Sequence, residues 1–251
     1  MALIEVKWWS AALQKQTAAT VIVPQKAGPH SVLYLLHGLS DDHSAWQRRS
    51  RVELYVADLP LIVVMPDGGR GFYCDAHVGQ KYESALISDL IPFIDETFNT
   101  RAERSGRCIG GLSMGGYGAA KLALKFPELF VSAHSHSGAL GFGHENFPKD
   151  RPMDDAFLIE LERIAGPNPQ GGENDCHALA EEALKIEQRP ALRIDCGTED
   201  YLLESNRNFH AHLKNIGYAH EYEEFSGAHN WDYWDLHIRG AIKFHARHLG
   251  L

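Results

Sequence analysis

Two segments of the chain, 31–36 and 61–65, are short and almost continuously apolar. Because neither alternates apolar with polar residues, both indicate strands buried on each face, as in a parallel sheet covered by helices. Longer segments with apolar residues at helical spacing, 82–98 and 114–126, lie beyond them along the chain. This alternation predicts an α/β fold with a mostly parallel central sheet and helices on both of its faces.

The remaining strands and helices follow from the same periodicities. Segments 3–9 and 17–23 resemble strands and have nothing of helix length between them, so they predict an antiparallel pair at the amino terminus. Pro92 weakens the helix prediction for its own surroundings, since its ring removes a hydrogen-bond donor. The later predicted elements are a strand at 191–196, a helix at 206–215, a strand at 221–225 and a last helix at 231–249.

Residues 141–188 interrupt the alternation. This segment is rich in glycine and proline and ends in a helical run at 178–186. A long irregular insertion in a compact domain is usually functional, and a lid is the commonest case. We therefore expect a single domain spanning residues 1–251 with a lid-like insertion at 141–188; a surface excursion without function is the alternative.

The composition limits the class of protein. A chain of 251 residues can bury a large core of its own, and a net charge of −9 disfavours nucleic acid as a partner. No apolar run approaches the ~18 residues of a membrane span, and the first ten residues lack the features of a secretory signal. We expect a cytoplasmic protein whose cysteines are reduced, mostly buried and without a C-x-x-C pair: Cys74, Cys108, Cys176 and Cys196.

The sharpest chemical signal is the pentapeptide at 111–115, Gly-Leu-Ser-Met-Gly, which matches G-x-S-x-G. It follows a predicted strand and opens a predicted helix, the placement that this motif requires. A nucleophilic serine on a sharp strand-to-helix turn needs flanking glycines, because side chains there would collide with the neighbouring strand and helix. Ser113 is the candidate nucleophile, and an incidental serine in a glycine-rich turn is the alternative.

A serine hydroxyl needs a general base near neutral pH, and the base needs a carboxylate that orients it. Of the 15 histidines, His229 lies in a turn between a predicted strand and the last predicted helix. Asp200, in the loop after the strand at 191–196, completes the order Ser, Asp, His of the α/β-hydrolases. Asp195 is the second candidate for the carboxylate, and Glu199 is the neighbour most easily mistaken for it.

Acyl transfer also needs hydrogen-bond donors for the oxyanion of the tetrahedral intermediate. The sequence His37-Gly38-Leu39 directly follows the strand at 31–36, where one donor of such a pair is expected. We assign the role to the backbone N–H groups of Leu39 and of Met114, the residue after the candidate nucleophile. The ring of His37 is expected to hold this loop in place.

Cofactor and metal chemistry find little support. Gly111 and Gly116 have the spacing of a P-loop, but Tyr117 stands where the lysine is required, so nucleotide binding is not expected. No H-E-x-x-H motif is present, and we expect neither a catalytic metal nor a cofactor. Two histidine pairs are suggestive of a metal site, but neither is accompanied by a carboxylate cluster: His134-x-His136 and His210-x-His212. The rings of the first pair would share a face if the pair lies on a strand. Those of the second pair would not share a face if that pair lies on a helix.

Five stretches carry a resemblance to a known family: LYLLHGLS at 33–40, LIVVMPD at 61–67, GLSMGGYG at 111–118, CGTEDYL at 196–202 and GAHNWDYW at 227–234. Together they resemble the esterase family that includes esterase D (S-formylglutathione hydrolase), the feruloyl esterases and the tributyrin esterases. The chain looks most like the tributyrin esterases. The resemblance covers nearly the whole chain, and the insertion at 141–188 is the least similar part.

The resemblance implies the α/β-hydrolase fold, a triad of Ser113, Asp200 and His229, and hydrolysis of carboxylic esters with short acyl chains. Esterase D proteins carry a histidine where Leu112 stands here, and a cysteine shortly after their His-Gly-Leu, which disfavours hydrolysis of glutathione thioesters. A thioesterase or acyltransferase with the same machinery is the alternative, and a catalytically silent binding module is the alternative of another class. The expected partner is a small-molecule ester. A homo-oligomer is left open, since Trp8, Trp9 and the insertion could form an interface or pack internally.

Overall fold

A sheet of eight strands lies at the centre of the part of the chain, residues 1–144 and 155–251, that this computed structural model describes. The strands are β1 (Ala2–Ser10), β2 (Lys15–Val23), β3 (Ser31–Leu36), β4 (Leu61–Pro66), β5 (Arg107–Leu112), β6 (Ser132–His136), β7 (Ala191–Gly197) and β8 (His220–Phe225). Their order in the sheet is β1-β2-β4-β3-β5-β6-β7-β8, with β2 antiparallel to both β1 and β4 and all other neighbours parallel. The predicted parallel sheet and antiparallel amino-terminal pair are therefore confirmed.

Helices cover both faces of the sheet. The described α-helices are α1 (Ala45–Arg49), α2 (Val52–Tyr55), α3 (Tyr82–Ser84), α4 (Ile91–Thr97), α5 (Met114–Lys125), α6 (Asp155–Ala165), α7 (Cys176–Ala183), α8 (Leu203–Asn215) and α9 (Trp231–Leu249). Alternate residues of β3 point into two separate apolar cores. Helices α4, α5, α7 and α8 contribute to one core, and α1, α2 and α9 to the other. Burial on both faces explains why β3 and β4 read as continuous apolar runs.

The segment around Pro92 departs from a regular helix. The prediction of one helix over 82–98 gives way to α3, a π-helix at Ala85–Leu90 and then α4. Pro92 has no backbone N–H and lies in the first turn of α4, directly after the π-helix. Single π turns of this kind occur within α-helices, and proline and π turns are both recognised causes of helix irregularity.

The insertion contains two helices among its described residues. The predicted run at 178–186 corresponds to α7, which ends earlier, at Ala183. It also begins earlier, because the Asp175 side chain accepts hydrogen bonds from the backbone N–H groups of His177 and Ala178. Helix α6 was not predicted, since neighbouring glycines and prolines made the region read as irregular. Pro148 and Pro152, part of that reading, lie outside the described residues. The lid role of 141–188 stays a prediction.

The two amino-terminal tryptophans have different surroundings. Trp8 is 8% exposed and its ring stacks on Phe93, with 5.7 Å between the ring centroids. Trp9 is 59% exposed on β1, which lies at one edge of the sheet. Trp8 therefore packs internally, and Trp9 lies on the surface.

All four cysteines are buried and free, in agreement with the prediction of reduced, buried thiols. Within residues 1–144 and 155–251, every helix is too short or too polar to cross a lipid bilayer.

Candidate active site

Ser113 is the single residue between the end of β5 and the start of α5. Its backbone angles, φ 53° and ψ −117°, lie in a region that a non-glycine residue occupies only at a cost of about 1–3 kcal/mol. Backbone hydrogen bonds hold it there: its N–H donates to the His136 carbonyl at 2.9 Å, and its own carbonyl accepts from Ala139 N–H at 3.1 Å. The sharp turn presents the hydroxyl at the carboxyl end of the sheet.

The glycines on either side of Ser113 are required by close packing. A Cβ on Gly115 would lie 2.4 Å from the Leu36 carbonyl oxygen of β3, and one on Gly111 would lie 2.6 Å from the Gly115 carbonyl. Both distances are far shorter than any real contact of a methyl group. Any side chain at either position would therefore collide with the strand or the helix, as the sequence predicts, and only glycine fits.

His229 bridges the other two candidate residues. Its Nε2 lies 3.0 Å from Ser113 Oγ, and its Nδ1 lies 2.8 Å from Asp200 Oδ2. A carboxylate can only accept, so Nδ1 carries the proton, and the unprotonated Nε2 accepts the serine O–H. The structure thus brings together three side chains that lie far apart in the sequence, in the relation that a general base requires.

Asp200 is 6% exposed, in the turn after β7. Burial acts to raise the pKa of its carboxyl, but the hydrogen bond and electrostatic interaction with His229, together with the Leu202 N–H at 2.8 Å, outweigh burial and lower the pKa. The carboxylate is therefore ionised near neutral pH. It can fix the tautomer of His229 and stabilise the imidazolium that proton transfer creates.

The two acids near Asp200 have other partners. Asp195 is fully buried in β7, where its carboxylate is 2.8 Å from His136 Nδ1 and accepts from the Tyr233 hydroxyl at 3.0 Å. Glu199 is exposed and accepts a hydrogen bond from the Gly227 N–H, which lies in the loop that carries His229. The structure thus places Asp200, and neither of these two, against His229.

The loop after β3 lies against Ser113. A Cβ on Gly38 would be 3.7 Å from Ser113 Cβ, and the next residue, Leu39, is half-buried. Met114 opens α5, so its N–H is one of the free donors at that helix's amino terminus. Leu39 thus follows a residue that lies close to Ser113, and Met114 follows Ser113 directly. The role of their N–H groups as oxyanion donors stays a prediction.

His37 holds this loop, as expected. The Gly68 N–H donates to His37 Nε2 at 2.9 Å, so the proton is on Nδ1, which donates to the Gly38 carbonyl at 2.7 Å. The Tyr73 hydroxyl also bridges the backbone, since it accepts from the His37 N–H at 3.0 Å and lies 3.1 Å from the His37 carbonyl.

Two aromatic side chains beside His229 were missed by the sequence reasoning. The Tyr201 ring lies 4.4 Å from the His229 ring between centroids, and the Trp234 ring meets it edge-on at 4.9 Å. Trp234 is buried and donates from Nε1 to Ser137 Oγ at 3.3 Å, whereas Tyr201 is largely exposed. Their closeness in sequence to Asp200 and His229 was the signal that could have identified them. The His229 ring is therefore in contact with one exposed and one buried aromatic side chain.

The two histidine pairs noted in the sequence are engaged with other side chains. His134 and His136 share a face of β6, with 4.6 Å between their ring centroids, and His134 Nδ1 lies 2.7 Å from His245 Nε2. His210 and His212 diverge from α8, as helical spacing requires. The first lies 2.7 Å from His220 and the second contacts the His177 carbonyl.

Comparison with known proteins gives consistent results. A family model described as "Putative esterase" matches residues 10–245. An acetyl esterase from Caldicellulosiruptor saccharolyticus is 31% identical over 262 residues, covering 97% of this chain and 98% of the relative. The substrate-bound structure of FphF, fluorophosphonate-binding serine hydrolase F of Staphylococcus aureus, matches with a TM-score of 0.86 at 29% identity, over 97% of this chain and 98% of that one. The apoenzyme of an S-formylglutathione hydrolase (FrmB) from Staphylococcus aureus matches with a TM-score of 0.84 at 28% identity and the same coverage.

Proposed function

Since this chain belongs to the esterase family and is a serine hydrolase with the α/β-hydrolase fold, we propose that it hydrolyses short-chain acyl esters through Ser113, His229 and Asp200. The observation that carries the proposal is the continuous hydrogen-bonded chain from Asp200 through His229 to Ser113 Oγ, at 2.8 and 3.0 Å. This arrangement makes a serine hydroxyl nucleophilic near neutral pH.

In the first half of the reaction, Ser113 Oγ attacks the ester carbonyl carbon while His229 Nε2 takes the hydroxyl proton. Asp200 stabilises the resulting imidazolium through its hydrogen bond to Nδ1. The N–H groups of Leu39 and Met114 donate to the oxyanion, and one such donor is typically worth about 3 kcal/mol of transition-state stabilisation. His229 then gives its proton to the leaving alcohol, and the acyl group stays on Ser113.

In the second half, water replaces the alcohol. His229 Nε2 takes a proton from the water as it attacks the acyl carbon, and the same two N–H groups hold the second oxyanion. His229 returns the proton to Ser113 Oγ, which releases the carboxylic acid. The groups named are sufficient for every step, so the proposal includes no cofactor and no catalytic metal.

The proposed preference for short acyl chains rests on the similarity of this chain to known esterases. The chain resembles the tributyrin esterases, and one of its relatives is named an acetyl esterase. Thioester hydrolysis is the second candidate activity, favoured by the structural match to an S-formylglutathione hydrolase. Two positions argue against thioester hydrolysis. Leu112 stands where esterase D proteins carry a histidine, and Ser40 stands in the region where they carry a cysteine. Acyl transfer to an alcohol would use the same acyl-enzyme.

A substrate series distinguishes these activities. The specificity constant kcat/KM is measured for p-nitrophenyl esters of increasing acyl length and for an S-formyl thioester, and products are analysed with and without an added alcohol. We expect the highest values for the shortest esters and release of free acid. A thioester hydrolysed faster than every oxygen ester would favour the thioesterase, and acyl transfer to the alcohol would favour the acyltransferase.

The proposal places the enzyme in the cytoplasm with a small-molecule ester as its partner. Four free, buried cysteines support a reducing compartment. Fractionation of the native host followed by immunoblotting tests this, and recovery outside the cytoplasm would contradict it.

A further inference from the structure

Three potential metal ligands lie together in the insertion, outside the catalytic triad. They are His144, Asp175 and His177, and one ligand atom of each lies within 4.8 Å of the others. His144 lies near the start of the insertion, and the other two stand at the amino terminus of α7. No sequence motif joins them, since His144 and Asp175 are 31 positions apart in the chain.

Both imidazoles face the same carboxylate. His144 Nδ1 is 2.9 Å from Asp175 Oδ2, and His177 Nδ1 is 3.6 Å from Asp175 Oδ1. The two rings are stacked, with 3.7 Å between centroids and 13° between planes. Two ring nitrogens and a carboxylate oxygen therefore converge on one small volume.

His177 carries a buried ring nitrogen that no described residue pairs with. The residue is only 4% exposed, and its Nδ1 is buried without a hydrogen-bond partner among the described residues. The separation of 3.6 Å from Asp175 is too long for a hydrogen bond. Buried polar atoms are nearly always paired, and a metal ion is one kind of partner that would satisfy this ring nitrogen.

We propose that His144, Asp175 and His177 form a structural binding site for Zn²⁺. Two imidazole nitrogens with one carboxylate are typical zinc ligands, whereas Mg²⁺ and Ca²⁺ prefer oxygen ligands alone. His144 is partly exposed, so water can take the fourth position. The ion would not take part in the ester chemistry proposed above.

A bound ion would link two parts of the insertion that lie close to the turn at Ser113 or to the helix after it. Near His144, the Phe142 N–H donates to the Ala139 carbonyl, and the Ala139 N–H donates to the Ser113 carbonyl. Next to Asp175, the Asn174 carbonyl accepts from the Tyr117 hydroxyl of α5 at 2.7 Å. Because the unfolded chain has no such site, the ion stabilises the folded state.

The test is zinc binding by untagged full-length protein that has been stripped with a chelator. Affinity and stoichiometry are measured by competition with a chromophoric chelator, and the thermal midpoint is followed as Zn²⁺ is added. We expect one site per chain and a rise in the midpoint with Zn²⁺ that Mg²⁺ does not produce. His144→Ala should weaken binding by at least about tenfold, since even indirect partners of a metal ligand are worth that much.

His210→Ala is the matched control, since His210 is also a partly buried histidine paired with a second histidine ring. It should bind Zn²⁺ like the wild type. X-ray absorption of the zinc-loaded protein should show two imidazole ligands, and His144→Ala should lose one. Equal affinity in the wild type and His144→Ala, or equal loss in both variants, would overturn the site.

Discussion

Asp200 and Glu199 are adjacent acids with different surroundings. Asp200 is buried, and its carboxylate accepts from His229 Nδ1 at 2.8 Å. Glu199 is exposed, and its carboxylate accepts from a backbone N–H of the loop before His229. One side chain thus sets the tautomer and charge of the base, while the other only supports the loop that carries it.

Asp200→Asn tests this difference in charge. The amide can still hold the imidazole but can donate to Nδ1, which favours the wrong tautomer, so we expect kcat for p-nitrophenyl acetate to fall by about 10⁴-fold. Glu199→Gln should lose less than about tenfold, because a surface hydrogen bond of this kind is worth about 1 kcal/mol. Comparable losses in the two variants would contradict the assignment of Asp200.

The functional histidines and their neighbours could be identified from the sequence only in part. His229 could be chosen from 15 histidines because it follows a strand and completes the order Ser, Asp, His. Tyr201 and Trp234 were not identified, although both contact its ring. His144, Asp175 and His177 could not be found either, because His144 lies 31 positions before Asp175 and approaches it only in the folded chain.

The turn between β5 and α5 depends on the absence of side chains on either side of Ser113. A Cβ on Gly115 would meet the backbone of β3, which cannot move without disturbing the centre of the sheet. The element therefore tolerates glycine alone at this position, whatever the helix propensity of the replacement.

Gly115→Ala should lower the free energy of unfolding by about 1–3 kcal/mol or more, the usual cost of overfilling a packed site. Urea unfolding followed by circular dichroism measures it. Gly240→Ala in α9 is the matched control, since its Cβ would meet only the end of the Arg193 side chain at 3.3 Å. That variant should be as stable as the wild type or gain up to about 1 kcal/mol from helix propensity. Equal stability of Gly115→Ala and the wild type would refute the packing argument.

Predictability differed among the elements for physical reasons. Strand β3 and helix α9 have the bounds that their apolar patterns predict, because both pack against the core along their whole length. The π-helix before Pro92 was not predicted, since periodicity does not reveal how a chain accommodates a missing donor. Helix α6 was hidden by the glycines and prolines around it.

A buried series of hydrogen-bonded polar groups links β6 to α9. Ser132 Oγ lies 2.7 Å from His245 Nδ1, and His245 Nε2 lies 2.7 Å from His134 Nδ1. Burial lowers the pKa of His245 from 6.5 to about 3 and that of His134 well below 6.5. Both rings are therefore neutral in the folded protein at neutral pH.

This burial makes the stability of the whole molecule depend on pH. Between about pH 6.5 and 3 the unfolded chain binds a proton at His245 that the folded chain does not. Stability therefore falls as the pH is lowered through this window, by up to about 1.4 kcal/mol per pH unit for one such group. The free energy of unfolding, measured with urea from pH 7.5 to 5, should show a shallower slope in His245→Gln. An identical slope in that variant would contradict the prediction.

The proposed reaction depends on the Ser113 hydroxyl as the nucleophile, and covalent labelling tests this role most directly. A fluorophosphonate probe should add one adduct to the wild type, which peptide mass spectrometry maps to Ser113. Ser113→Ala should take no label and lose at least about four orders of magnitude in turnover. Its thermal midpoint should stay nearly unchanged, because alanine keeps the backbone turn and loses only the contact with His229. Label on another residue, or turnover retained by Ser113→Ala, would contradict the proposal.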